Sequence, residues 1–352
     1  MKVDLAYFEI PFRRPYIVGT GTLQTRRGVM VRIRDGKRTG FGEVAPLQGF
    51  HRETLAQALS SLKEAIESES MPMCRSAAFG LSCAVETAAA NPRYGFSDPA
   101  PTTDIGINAF FSGGAREAKV AFNAGQFDGF QTIKVKIGRG KPVDDLRTIN
   151  TILSLVDPEV RIRLDGNRTM SLAVAERLLS RIDSSRIEYV EEPLKDHADL
   201  SELARRVGLV MAIDESLHLG GPIEDVLGAP GVEVQVVKPS LLGGLEEVES
   251  VVTRGRIYGL DTVLSTAIDT SYTIALVARM AGALGVGDRD HGLGTAGLFT
   301  SDVIAPAPIV QGRMQIGATL QMPDLQFVPI TQFELPHSSQ GEIDGIGKPL
   351  DP

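Results

Sequence analysis

QTIKVKIG, residues 131–138, sets two lysines, Lys134 and Lys136, on alternate positions of an apolar β-like run. Side chains at i and i+2 leave a strand on the same face, so both ammonium groups point one way. Taking such a cation out of water is costly unless fixed negative charge stands beside it. The chain supplies that charge downstream: RLDG carries Asp165, YVEEP carries Glu191 and AIDES carries Asp214, before VVKPS adds Lys238.

Lys136, Asp165, Glu191, Asp214, Lys238 and Ser265 follow one another at intervals of 23–29 residues. That is the length of one strand, one helix and two short loops. Each lies at or near the end of a β-branched run (IKVKIG, VRIRLDG, IEYVEEP, VMAIDES, VQVVKPS, TVLSTA), and a helix-like segment follows each. A lone charge at a strand end is ordinarily a solvated boundary residue; the same register in consecutive units is not. The expected fold is an α/β, TIM-like (β/α) barrel, in which polar groups at the carboxyl ends of parallel strands converge on one mouth.

At 352 residues the chain can bury a full core in one large or two ordinary domains. Its 44 acidic and 36 basic side chains leave a net charge of −8 with no Lys/Arg-rich run, which argues against nucleic acid or an anionic membrane as partner. MKVDLAYFEIPFRRP lacks the apolar core of a signal peptide. The most apolar stretch, 272–287, is broken by Arg279 and too short to cross a bilayer, so a cytoplasmic location is expected. Cys74 and Cys83 form no CxxC pattern and read as structural thiols of a reducing compartment.

Residues 1–48 read as strands, with a hairpin turning at Asp35-Gly36. VGTGTLQTRR, 18–27, reads as a loop suited to a lid over a ligand. Two helices are expected in 51–68 and 76–90, then a linker in 91–104. The barrel is expected to open with a strand at IGINAFFSG, 105–113, to include a helix at PIEDVLG, and to end at HGLGT, 291–295. The β-like segment 306–334 is expected to return to the N-terminal unit, and the stretch from Pro336 reads as turn-rich.

Three carboxylates with no cysteine or histidine beside them make an all-oxygen site for a hard cation, which suits magnesium. YVEEP offers both Glu191 and Glu192. His197, His218 and His291 lack ligand spacing and read as loop or surface residues. Lysines facing each other across a cation are expected to have depressed pKa values, and a partly neutral lysine is a base. The residues themselves thus reach proton abstraction α to a carboxylate, with the metal stabilising the enediolate.

KVK, RLDGNR, EEP, DES and KP together resemble the enolase superfamily, in its muconate-lactonizing subgroup, over nearly the whole chain. FGEVAPLQGFHRETL (41–55) and AAFGLSCAVE (77–86) are similar to o-succinylbenzoate synthases, hydro-lyases of menaquinone biosynthesis. The resemblance implies an α+β capping domain, residues 1–100, completed by 301–352, over a (β/α)7β barrel at 105–300. It implies metal-assisted syn dehydration of a small-molecule carboxylate, 2-succinyl-6-hydroxy-2,4-cyclohexadiene-1-carboxylate, to 2-succinylbenzoate. Lys136 would take the α-proton and return it to the departing hydroxyl, with Lys238 stabilising the enediolate from the opposite face. Asp165, Glu191 (chosen over Glu192) and Asp214 would hold Mg2+, with Mn2+ as a substitute. Lys134 and Arg163 would support the charged centre, Ser265 and the backbone near Gly292 would receive the succinyl carboxylate, and Phe50 and the 18–27 loop would close above.

STAIDTS and GLGT depart from the serine-rich run and GLDT of familiar bacterial members. The nearest alternative is an N-succinyl or N-acylamino acid racemase or a dipeptide epimerase, using both lysines as bases. Asp288-Arg289-Asp290 supplies the Asp-x-Asp of such epimerases, a few residues ahead of HGLGT. A non-catalytic metal-binding barrel is the alternative of another class, and it would be expected to have lost one of the two lysines.

Overall fold

The computed structural model describes residues 2–18, 21–89, 92–96, 99–219 and 223–336. Strands β1 (Lys2–Val18), β2 (Gly21–Asp35) and β3 (Arg38–Val44) form an antiparallel meander, covered by helices α1 (Leu55–Ser68) and α2 (Arg75–Ala88). Thr54 and Gln57 close a reciprocal capping box that starts α1. Leu59 and Leu62 then pack with Leu5, Val31 and Leu81 between helices and sheet. Helix α2 lies directly on β3 because two glycines face each other: a Cβ on Gly42 would fall 1.9 Å from the Gly80 carbonyl oxygen.

The expected 18–27 loop is instead the end of the β1–β2 hairpin, paired through Tyr16↔Leu23, Ile17↔Thr22 and Val18↔Gly21; Gly19 and Thr20 lie outside the described residues. The expected linker is no free tether either. Tyr94 and Phe96 are buried, and the Tyr94 hydroxyl donates to Glu249 Oε2 at 2.8 Å, while Asn91, Ser97 and Asp98 lie outside the described residues.

The 105–113 run divides between two sheets, β4 (Thr103–Gly106) and β5 (Ala109–Phe111). From β5 the chain alternates: α3 (Ala115–Asn123), β6 (Thr132–Lys136), α4 (Pro142–Leu155), β7 (Arg161–Asp165), α5 (Leu172–Leu179), β8 (Ile187–Glu191), α6 (Leu200–Val207), β9 (Met211–Ile213), β10 (Val232–Val237), α7 (Pro239–Leu242), α8 (Leu245–Ile257), β11 (Asp261–Leu264) and α9 (Ser271–Ala283). Strands β5 to β11 form one curled, parallel sheet of seven in sequence order. Parallel bridges Ile107↔His291 and Ser265↔Gly292 set residues 291–292 against both of its ends. No helix forms in PIEDVLG: 224–228 is turn, with Val226 and Leu227 buried by loop packing, and Pro222 lies outside the described residues.

The last segment serves two sheets. β12 (Ile309–Val310) pairs with β13 (Arg313–Ile316), which pairs with β4, and β14 (Val328–Pro329) is the strand that returns to the N-terminal sheet, on β1. Residues 337–352, almost all of the stretch expected to be turn-rich, lie outside the described residues. Among the described residues no helix is long and apolar enough to cross a membrane.

Two-residue alternation sorts the barrel strands. Ile133, Val135, Ile162, Leu164, Val190, Met211 and Ile213 pack outward with the helices. Tyr189, Ala212, Val234, Val236 and Val263 form a separate inner cluster. Continuing that inner parity past the last apolar residue arrives at Glu191, Asp214, Lys238 and Ser265, so burial of the strand dictates where the polar groups gather.

Candidate active site

Strand register puts Lys136, Asp165 and Glu191 in one row, since Lys136 pairs with Asp165 and Asp165 with Glu191. One step below, Lys134, Arg163 and Tyr189 form the next row. The Lys134 amine donates to Glu191 Oε1 at 2.6 Å and approaches Asp165 Oδ2 at 2.8 Å. Lys136 donates to Asp165 Oδ2 and to Asn167 Oδ1, both at 2.6 Å. Lys238 pairs with Asp214 Oδ2. Among the described residues no three His, Cys, Asp or Glu side chains stand as a ligand cluster for a metal ion. The acids are bridged by ammonium groups, while Glu191 Oε2 and Asp214 Oδ1 are buried with no hydrogen-bond donor.

The electrostatics divide the groups. Burial would raise Asp165, but Lys134 and Lys136 outweigh it and hold this carboxyl well below the usual range. Glu191 is pushed up to about 8 by burial and by the neighbouring Asp165 charge. Burial lowers Lys136, and Lys134 adds to the effect against the opposing pull of Asp165. At Lys238 burial is overridden by Asp214 and Glu215, and the amine lies above its ordinary value.

Around this centre, the Lys238 amine lies 5.7 Å from the centroid of the Phe50 ring. Ser265 Oγ donates to the Gly292 carbonyl at 3.2 Å, and a Cβ on Gly292 would stand 2.6 Å from that hydroxyl. Phe50 also lines a cavity of about 400 Å³ with Arg52, Arg75 and His218, but none of the six strand-end residues does.

Arg163 does not reach the carboxylate row. Its guanidinium is fully buried and turned to the opposite end of the strands, onto Glu188, Asn108 Oδ1 and the Asp290 carbonyl, with Tyr189 against its face. Arg289 joins it there by bonding Glu188 and Asp261, so the Asp-x-Asp segment belongs to the floor of the sheet and not to its mouth. His218 and His291 are buried, contrary to expectation; His291 Nδ1 accepts from the Leu264 N–H at 3.0 Å.

Four residues escaped the sequence reading. Asn167 grips Lys136 and donates to Glu215 Oε1 at 2.8 Å, which brings Glu215 to the centre. Tyr16, near the hairpin tip, has a hydroxyl raised by burial and exposed to the charges of Arg139, Lys238, Asp165 and Lys134. His51 reaches the segment after Lys238. Of these, Asn167 and Glu215 had a signal as neighbours in the RLDGNR and AIDES motifs, and His51 as the residue after Phe50 in FGEVAPLQGFHRETL; Tyr16 had none.

Residues 115–319 match the family model described as enolase C-terminal domain-like, and residues 1–88 match the MenC N-terminal domain. The o-succinylbenzoate synthase of Klebsiella pneumoniae (strain 342) is 30% identical over 320 residues, covering 88% of this chain and 95% of that relative. The o-succinylbenzoate synthase of Pectobacterium atrosepticum is 33% identical over 319 residues, covering 87% and 94%. Among solved structures, the o-succinylbenzoate synthase of Thermosynechococcus elongatus BP-1, complexed with Mg in its active site, superposes with a TM-score of 0.69 at 24% identity, covering 86% of this chain and 95% of that one. The L-Ala-D/L-Glu epimerase of Bacillus subtilis gives a TM-score of 0.77 at 18% identity, covering 94% and 98%. At these identities the structural likeness speaks for the fold.

Proposed function

The chain belongs to the o-succinylbenzoate synthase family of the enolase superfamily, and from that premise we propose how its residues carry out the reaction. It is a carbon–oxygen hydro-lyase that converts 2-succinyl-6-hydroxy-2,4-cyclohexadiene-1-carboxylate to 2-succinylbenzoate in menaquinone biosynthesis. In the same reading, residues 291–292 close the sheet as the last strand of a (β/α)7β barrel at 105–300, capped by 1–100 and 301–352.

The observation that carries the mechanism is the pair of buried lysines flanking the carboxylates, Lys136 on Asp165 and Asn167 and Lys238 on Asp214. Lys136, eased toward its neutral form, takes the α-proton from the ring carbon bearing the carboxylate. Asn167 holds the amine toward that proton. Lys238 keeps its charge and stabilises the enediolate from the other face. The ammonium of Lys136 then returns the proton to the C6 hydroxyl on the same face; the C–O bond breaks, water leaves and the ring becomes aromatic. Ser265 Oγ, turned away from the Gly292 carbonyl it now meets, and the backbone near Gly292 receive the succinyl carboxylate, with Phe50 and the β1–β2 hairpin above; the Gly292 N–H itself is taken by the Leu264 carbonyl.

Glu191 Oε2 and Asp214 Oδ1, buried without donors, and the Asp165 carboxylate would supply the oxygen ligands of a hard divalent cation, Mg2+ with Mn2+ as a substitute, once the ammonium groups between them give way. Such a cation supplies positive charge against the second negative charge that develops on the substrate carboxylate. The dipeptide-epimerase alternative loses support, because Arg289 and Asp290 are engaged at the floor.

Purified protein supplied with the cyclohexadiene substrate and Mg2+ tests the reading. Aromatic product is expected, abolished by chelator and by Lys136→Ala. Racemisation of N-succinyl amino acids without aromatic product would overturn it.

A further inference from the structure

Ser240, two residues beyond Lys238, is held from two directions. Its hydroxyl donates to Asp269 Oδ2 at 3.3 Å, and its carbonyl lies 3.1 Å from His51 Nε2. The Leu47 N–H donates to His51 Nδ1 at 2.9 Å, so the ring proton sits on Nε2 and Nε2 is the donor to Ser240. Both holds lead back to the N-terminal unit. His51 stands in a turn closed by the Phe50 and His51 N–H groups on the Leu47 carbonyl. Asp269 faces buried Arg26 of β2, which also donates to the carbonyls of Ile268 and Ala45.

Only Pro239 separates Ser240 from Lys238, and its ring fixes φ, so displacement of Ser240 passes to the lysine backbone instead of being absorbed. Helix α7 has four residues, too few to hold its own position. We propose that His51 and Asp269 are positioning residues for Lys238, gripping Ser240 so that the N-terminal unit sets where the lysine amine stands. The proposal rests on the reading above, in which that amine meets the enediolate.

Two isosteres separate the contacts of His51. His51→Gln keeps an N–H near the position of Nε2; His51→Asn keeps only an acceptor near Nδ1. His51→Asn is expected to lose about 10–100-fold in kcat with KM within about threefold, while His51→Gln restores kcat to within about threefold of the parent. Equal kcat values for the two variants, or losses that track their melting temperatures, would overturn the proposal. Ser240→Ala removes the Asp269 hold alone and is expected to lower kcat several-fold at unchanged KM; an unchanged kcat would count against it even if His51→Asn does not fold. Crystal structures of His51→Asn and Ser240→Ala read the positioning without turnover: a displaced Lys238 amine is expected in each, and an amine unmoved in both sinks the proposal whatever reaction the enzyme performs.

Discussion

Asn167 fixes Lys136 through a 2.6 Å contact to its side-chain oxygen, while its own amide is anchored on Glu215. The residue sits at φ 43°, a left-handed conformation that asparagine tolerates better than most side chains. Its oxygen therefore has a defined direction just past the end of β7. Asn167→Ala is expected to lower kcat by about tenfold, in the range typical of a mispositioned base. Asn167→Asp adds negative charge beside the amine and favours its protonated form, so the acid limb of the pH–kcat profile moves to higher pH. Profiles of the two variants that superimpose on the parent would remove Asn167 from the mechanism.

Gly292→Ala would push a methyl group into Ser265 Oγ and Cβ, at 2.6 and 3.1 Å. A loss of about 1–3 kcal/mol is expected from overpacking, read by chemical denaturation, and Ser265→Gly in the same chain is expected to recover most of it. Additive losses in the double variant would mean that the clash lies elsewhere.

Arg163→Met leaves Asn108 Oδ1 and the Asp290 carbonyl without their buried donor and Glu188 with Arg289 alone. Stability is expected to fall by about 3–5 kcal/mol, the scale for breaking a buried pair. Assayed well below its melting temperature, the variant is expected to lose less kcat than Lys134→Ala. The reverse ranking would return Arg163 to the charged centre.

Glu43 is pushed up to about 7 by burial and by Asp269, with Arg26 opposing, while it accepts from Thr270 and Thr273. A carboxyl raised in the folded state contributes stability that is full below its unfolded value, 4.5, and is lost as pH rises through about 7. Relative to Glu43→Gln, the parent is expected to lose on the order of 3 kcal/mol over that window. Unfolding free energies of the two proteins that run parallel from pH 5 to pH 8 would refute this.

Much of this centre was legible because a strand has only two faces. Once Lys134 and Lys136 were put on one of them, the parity of each later strand carried Asp165, Glu191, Asp214, Lys238 and Ser265 to the same side. Parity does not say along which direction a long side chain runs, so Arg163 shared that face yet turned to the floor. Nor does it say which neighbour an amine finds: Lys136, lowered first by burial, shares Asp165 with Lys134, while Lys238 pairs with Asp214 and has Glu215 nearby, and their pKa values part accordingly. The 18–27 segment looks like a loop from its glycines and threonines because most of its pairing partners, Glu9 to Pro11 with Tyr16 and Ile17, lie across the hairpin and not within the segment. The partner of His51 was hidden for the same reason at longer range, since Ser240 is reached only through the fold.

The pairing of Leu5 with Val328 and of Asp4 with Pro329 has a consequence for how the protein is made. Strand β1 keeps an open edge while the barrel strands are synthesised, because its neighbour on that side is encoded more than three hundred codons later. Chains that stop before Val328 would leave that side of β1 unsealed, and protection of its outward-facing N–H groups from hydrogen exchange would come only with β14.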